Sequence, residues 1–236
     1  MKIIVLSIAN YKEKDAIITA VSQSETITFL ARGIKDPKSK NAAINNPLMI
    51  ADVELMDGDF KYPILKNFKE LFMPMKLQMD SSYLGTMLLM NEIMQHFFPE
   101  DERPKMFASL EEGLVALKKN NNWLMTLLIF MAAAIKVGGF ELEVNRCVIC
   151  GKKNRIVAFS FLEGGFICEE CANEETERDL SKEQMILLRS IFNARDYSLT
   201  ESSFNKEDAM VLLHRFIDFM QEGFGYRLKN TRLIFD

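Results

Sequence analysis

Histidine is almost missing from this chain of 236 residues, which holds only His96 and His214. Neither lies near a serine or cysteine in a spacing that would pair a nucleophile with its base, so covalent hydrolysis of the serine or thiol kind has no candidate. The Gly-x-x-x-x-Gly-Lys loop that cradles nucleotide phosphates is missing too, and Gly164-Gly165 is explained as a hairpin turn. Asp57-Gly58-Asp59 offers two carboxylates, but a tight turn accounts for them more simply. No run reaches the ~18 uncharged apolar residues of a membrane helix; the longest, Trp123 to Ile135, stops short. There is no positive balance either. A net charge of −4 and a pI near 5.4 give the whole chain no general attraction to a polyanion. Cysteine is scarce, with four residues all between Cys147 and Cys171. That clustering, with no secretory leader at the start, argues against a disulfide framework and for reduced thiols in a cytosol.

What is present starts with those cysteines. Cys147-Val-Ile-Cys150-Gly151 and Cys168-Glu-Glu-Cys171 form two Cys-x-x-Cys pairs with 17 residues between Cys150 and Cys168. Two residues between sulfurs let the chain turn tightly enough to place both on one edge of a tetrahedron, about 2.3 Å from a metal. Gly151 suits the turn because it can take a positive φ; Ala172 stands at the matching place after the second pair. Ile156 to Leu162 reads as a strand, Glu163-Gly164-Gly165 as a turn, and Phe166-Ile167 as the return, so a hairpin carries one pair at each foot. This is a zinc ribbon with ligands Cys147, Cys150, Cys168 and Cys171. Four thiolates close the coordination shell and leave no position for water or substrate, so the expected Zn2+ is single and structural. The chain shows no catalytic machinery and reads as no enzyme.

The fold class expected is multi-domain α+β: an N-terminal small β-barrel (OB-fold), then an α-helical domain with the four-cysteine zinc ribbon inserted. Short β-rich runs at 3–6, 17–21, 26–31, 49–55 and 62–65 suggest a closed barrel over 1–78. Among small barrels the OB-fold is the one that most often binds single-stranded nucleic acid, although strands alone do not separate it from an SH3-like barrel. Apolar residues then recur at helical spacing. The helical domain is expected over 79–145 and 177–236, with the ribbon at 146–176. Asp80-Ser81 caps the first helix, Pro99 and Pro104 bracket a break, and Trp123 to Val137 is apolar nearly all round and must be buried. Ser181 with Gln184 forms a capping box, and Asn205 caps the last helix, 206–222. A tail, 226–233, carries three cations.

Charge is segregated along the chain. Glu169 to Glu183 holds seven acids, whereas Arg32, Lys35, Lys38 and Lys40 stand against one acid, Asp36. Cations spaced by Gly, Pro and Ser form a loop able to follow phosphates. Such lysines also serve simply to keep a loop solvated, and the loop by itself does not decide between the two.

Taken together these features resemble the RecO family of bacterial DNA repair and recombination mediators. The likeness rests on Ile4-Val5-Leu6 followed by Tyr11-x-Glu13-x-Asp15, on Ala31-Arg32-Gly33 leading to Pro37-Lys38-Ser39-Lys40, on Gly138-Gly139-Phe140 before the first cysteine pair, and on Phe159-Ser160 with Gly164-Gly165 before the second. The resemblance implies an N-terminal OB-fold and a helical domain with a four-cysteine zinc module. It also implies binding and annealing of single- and double-stranded DNA, help in loading RecA, and partnership with RecR and the single-stranded DNA-binding protein. The location it implies is cytoplasmic and nucleoid-associated. DNA contacts carried over are Arg32, Lys35, Lys38 and Lys40; Asp36 and the overall acidity depart from the family pattern. The second reading is a zinc-ribbon scaffold for proteins with little direct DNA contact, which the net charge favours.

Overall fold

A computed structural model of the chain describes residues 1–56, 58, 61–74, 81–120, 122–176, 178 and 180–235. Asp57, Asp59 and Asp80, expected in a turn and a cap, lie outside this set, as do Glu177 and Asp179 of the acidic stretch. The chain divides into two compact units, one of residues 1–119 with 229–236 and one of residues 120–228.

The first unit is built on a barrel. Strands β1 (Lys2–Asn10), β2 (Ala16–Val21), β3 (Thr26–Ala31), β4 (Ile50–Met56) and β5 (Ile64–Phe72) close in the order β1-β2-β3-β5-β4. All neighbours are antiparallel except β3 and β5, which meet in parallel at Leu30 and Ile64. Alternation explains the strands: Ala16, Ile18, Ala20, Phe29 and Ala31 point into the core, while Ile17, Thr19, Thr28 and Leu30 lie on the other face. β5 runs well past the expected Leu65, because its exposed Lys66, Asn67, Lys69 and Glu70 hide the strand from a hydrophobicity count.

Helices α1 (Ser81–His96) and α2 (Phe107–Asn120) follow, and apart from the last residue of α2 both belong to this unit. The compact units part at 119/120 and 228/229, so α1 and nearly all of α2 lie with the barrel, whose last strand ends at Phe72. The physical reason lies in long-range polar contacts: Asn91 and Gln95 of α1 donate to the Leu6 carbonyl at 3.0 and 3.2 Å, Thr26 donates to the Glu100 carbonyl at 2.6 Å, and Lys2 pairs with Glu111 of α2 at 2.5 Å. Arg103 supplies donors that the end of α1 lacks, its guanidinium bonding the carbonyls of Met94, Gln95 and Phe98.

The basic tail is not loose. Residues 229–235 return to the first unit, where the Glu92 carboxylate accepts from the backbone N–H of Lys229 (2.8 Å) and Asn230 (3.0 Å) and from the Asn230 side chain (2.8 Å). A short terminal helix, Arg232–Phe235, packs on α1. Gly85 faces it so closely that a Cβ would meet Ile234 and Leu233 at 3.0 and 3.1 Å.

In the second unit α3 (Trp123–Val137) has the expected bounds and is buried almost throughout, with Asn122 capping it by accepting from the Met125 N–H. A three-stranded sheet follows: β6 (Glu143–Cys147), β7 (Ile156–Ser160) and β8 (Gly165–Cys168), in the order β6-β8-β7. Helices α4 (Lys182–Asn193) and α5 (Lys206–Phe224) complete the unit, and the terminal Arg232–Phe235 helix is α6. Both bonds of the Ser181–Gln184 capping box are present. α5 continues through Gly223 and ends at Gly225, which is left-handed. Asn205 accepts from the N–H groups of Glu207 and Asp208 at 2.8 and 3.1 Å. Asn205→Ala leaves both donors to water, and a loss of about 1 kcal/mol is expected in thermal or denaturant melts.

Candidate functional site

Among the described residues two places concentrate chemistry, one in each unit. The first is the foot of the β6-β7-β8 sheet. Cys147 ends β6, Cys168 ends β8, and each opens a tight turn: the Gly151 N–H bonds the Cys147 carbonyl at 2.8 Å, and the Ala172 N–H bonds the Cys168 carbonyl at 2.9 Å. Gly151 has φ +75°, the left-handed conformation read from the sequence. The turns bring all four sulfurs within 4.8 Å of one another, with Cys150 and Cys168 3.6 Å apart. The edge of a tetrahedron with 2.3 Å metal–sulfur bonds is about 3.8 Å, so the spacing fits zinc, and no disulfide is formed.

The electrostatics agree with a cation site. Burial pushes the Cys147 thiol up, but backbone hydrogen bonds from Cys150, Cys168 and Ile149 outweigh it and bring it down to about 6. Cys171 moves the other way, up to about 12, because a hydrogen bond with Cys150, burial, and the Cys168 and Cys147 sulfurs all favour its protonated form. Sulfurs this close resist a common negative charge unless a positive ion sits among them.

The second place is one rim of the barrel. Asn10 at the end of β1 pairs with Ala16, Ala16 pairs with Ala31, and the Leu30 N–H reaches the Pro63 carbonyl at 2.8 Å. The 11–15 loop, the start of the 32–49 loop and residues 61–63 before β5 therefore share one end of the barrel. Arg32, Lys35, Lys38 and Lys40 are all exposed in the second of these. Their loop is not a floppy chain: Asn41 donates to the Arg32 carbonyl at 2.9 Å, the Gly33 N–H bonds Asp15 at 2.9 Å, and Lys40 reaches the Lys66 carbonyl and Asn67 at 3.3 Å. Asp36, the departure noted above, accepts from the Lys38 N–H at 3.0 Å and pairs with Lys14 at 3.6 Å. It shapes the turn. Sequence reading missed that Lys12, Lys14 and Lys61 share this rim, since only the strand order brings their segments together. His96 and His214 are exposed on α1 and α5, and among the described residues no helix is long and apolar enough to cross a membrane.

The family model described as recombination protein O, C terminal, matches residues 78–229, and that of its N terminal matches residues 1–62. The DNA repair protein RecO of Bacillus subtilis is 25% identical over 234 residues, covering 98% of this chain and 91% of its own length. That of Caldicellulosiruptor bescii is 26% identical over 221 residues, covering 89% and 88%. That of Mesoplasma florum is 27% identical over 179 residues, covering 74% and 67%.

Proposed function

The chain belongs to the RecO family of DNA repair proteins, and from that membership we propose that it is a recombination mediator that binds single-stranded DNA on its barrel. The observation that carries this reading is the convergence of cations from three segments on one rim of a closed OB-like barrel, in a chain whose total charge is −4. At physiological salt, charges beyond about 8 Å are screened, so a phosphate at this rim responds to the neighbouring Arg32, Lys35, Lys38 and Lys40 rather than to the net charge of the chain. Binding of both single and double strands, annealing, and loading of RecA together with RecR and the single-stranded DNA-binding protein are the roles that go with the family. The protein works without catalysing a reaction, in the cytoplasm at the nucleoid. Cys147, Cys150, Cys168 and Cys171 hold one structural zinc ion, which ties the two turns of the small sheet together.

A salt titration tests the DNA reading. If Lys35, Lys38 and Lys40 each touch a phosphate, replacing all three with Ala flattens the slope of log affinity against log salt by about two, at roughly 0.7 per contact on single strands. Binding weakens with no change in sequence preference, because phosphate contacts position without specifying. An unchanged slope means that the loop only solvates itself. If the wild type binds no DNA at any salt, the zinc-ribbon scaffold for proteins is the better account.

A further inference from the structure

The rim carries two rings that the cation count leaves out. Tyr11 opens the 11–15 loop and is 39% exposed; Tyr62 stands two residues before β5 and is half-buried. Each has a lysine ammonium over its ring, Lys12 at 5.5 Å from the Tyr11 centroid and Lys61 at 5.2 Å from that of Tyr62. The lysine takes one face of each ring, so a stacked base would take the opposite face.

Between them lies β2-β3. Neither strand carries a charged residue, and the outward Ile17 pairs with Leu30 while the outward Thr19 pairs with Thr28. The two hydroxyls are 3.3 Å apart and bond each other. From β1 across β2 and β3 to β5 is three interstrand steps, about 14 Å along the wall at about 4.8 Å each. A few nucleotides cross that distance, so both rings fit inside the footprint of roughly 4 to 16 nucleotides that one OB-fold covers. A strip without charge, bounded by a ring and a cation on either side, suits bases on the strip and phosphates along its edges.

We propose that Tyr11 and Tyr62 are stacking posts for single-stranded nucleic acid, each taking one base against its ring while the adjoining Lys12 or Lys61 takes the phosphate. This rests on the reading of the barrel as a DNA-binding surface and adds to it a part of the affinity that salt does not remove. Every base has a flat face, so the posts grip without choosing sequence. Tyr11 and Tyr62 also set the path of the strand, from the 11–15 loop over β2-β3 to the start of β5.

The test uses the full chain and two probes of about 16 nucleotides, a thymidine oligonucleotide and an abasic strand of the same length. Tyr11→Ala and Tyr62→Ala are each expected to weaken binding of the thymidine strand between about fivefold and a hundredfold, the usual range for loss of one stacked base. They leave the salt slope and the affinity for the abasic strand unchanged, and Tyr→Phe at either site binds as the wild type does. Ala variants that bind thymidine normally overturn the proposal. Ala variants that lose affinity equally for the abasic strand overturn it as well, since the rings then act only by holding the lysines or the loops. A wild type that binds neither probe removes the barrel reading itself, an outcome separate from failure of the posts.

Discussion

Cys150→Ser protein is expected to emerge without zinc and with the β6-β7-β8 sheet open. Cys150 is the exposed member of the four, so the substitution takes little from the core, and its effect reports the metal. The sheet has few other resources. Its strands are five, five and four residues long, and β6 meets β8 at an irregular register. Burial of Val144, Ala158, Phe159, Phe166 and Ile167 holds the sheet to its own unit. The first turn at its foot draws little from apolar burial, since Val148 and Ile149 are exposed. Zinc contributes about 10 to 16 kcal/mol of apparent binding energy in isolated fingers, a contribution that goes with the ion. Metal analysis of the wild type should give one equivalent, and that of the variant close to none. Amide exchange should quicken at 147–172 and stay slow in α3 and α5. Because Cys171 holds its proton until about 12 without a metal, uptake must displace that proton, and affinity should fall as the pH is lowered. Stoichiometric zinc in the Cys150→Ser protein would refute the assignment.

The second large effect is expected at Glu92. Its side chain is buried in α1 at 6% exposure, and it accepts three hydrogen bonds from residues 229 and 230. Glu92→Ala leaves those donors without their acceptor at about 1 to 3 kcal/mol each where water does not reach them. A loss of about 3 kcal/mol in the first unit follows, and with it a melting temperature lower by on the order of 10 °C. α6 should then detach from α1, exposing the surface around Gly85. Glu92→Gln keeps the shape and one acceptor oxygen, so its loss should be roughly half. Melting and protease susceptibility near 228 measure both. An Ala variant that melts like the wild type would mean that packing of Leu233 and Ile234, not the carboxylate, holds the segment.

Local chemistry was legible in the sequence. The two cysteine turns, the Ser181–Gln184 box, the Asn205 cap and the bounds of α3 all depend on residues a few places apart, and each was found where expected. What escaped reading depends on distant partners. β6 is polar at Glu143, Asn145 and Arg146, and its one clue is on another strand: a Cβ at Gly165 would lie 2.5 Å from the Glu143 carbonyl. The attachment of α1 to the barrel rests on Asn91 and Leu6, separated by 85 positions. The tail read as a run of cations, whereas its fixed point is a carboxylate 137 positions away. The rim followed the same rule. Lys12, Lys14 and Lys61 look like ordinary loop lysines until the parallel meeting of β3 and β5 shows which segments share an end.

The return of residues 229–235 to the first unit has a consequence for synthesis on the ribosome. Domains usually fold in the order in which they emerge, but here the unit that begins the chain lacks its closing segment until residues 120–228 have been made. At roughly 5 to 20 residues per second, the 109 residues of that interval, 120 through 228, take on the order of 5 to 20 seconds. Throughout that time the donors of 229 and 230 have yet to reach the Glu92 carboxylate, and the surface beside Gly85 faces water or a chaperone. The later-made unit, whose elements are all local to it, can finish first. A chain that ends at residue 228 and has left the ribosome should therefore protect α3 and α5 from protease while α1 is still cut.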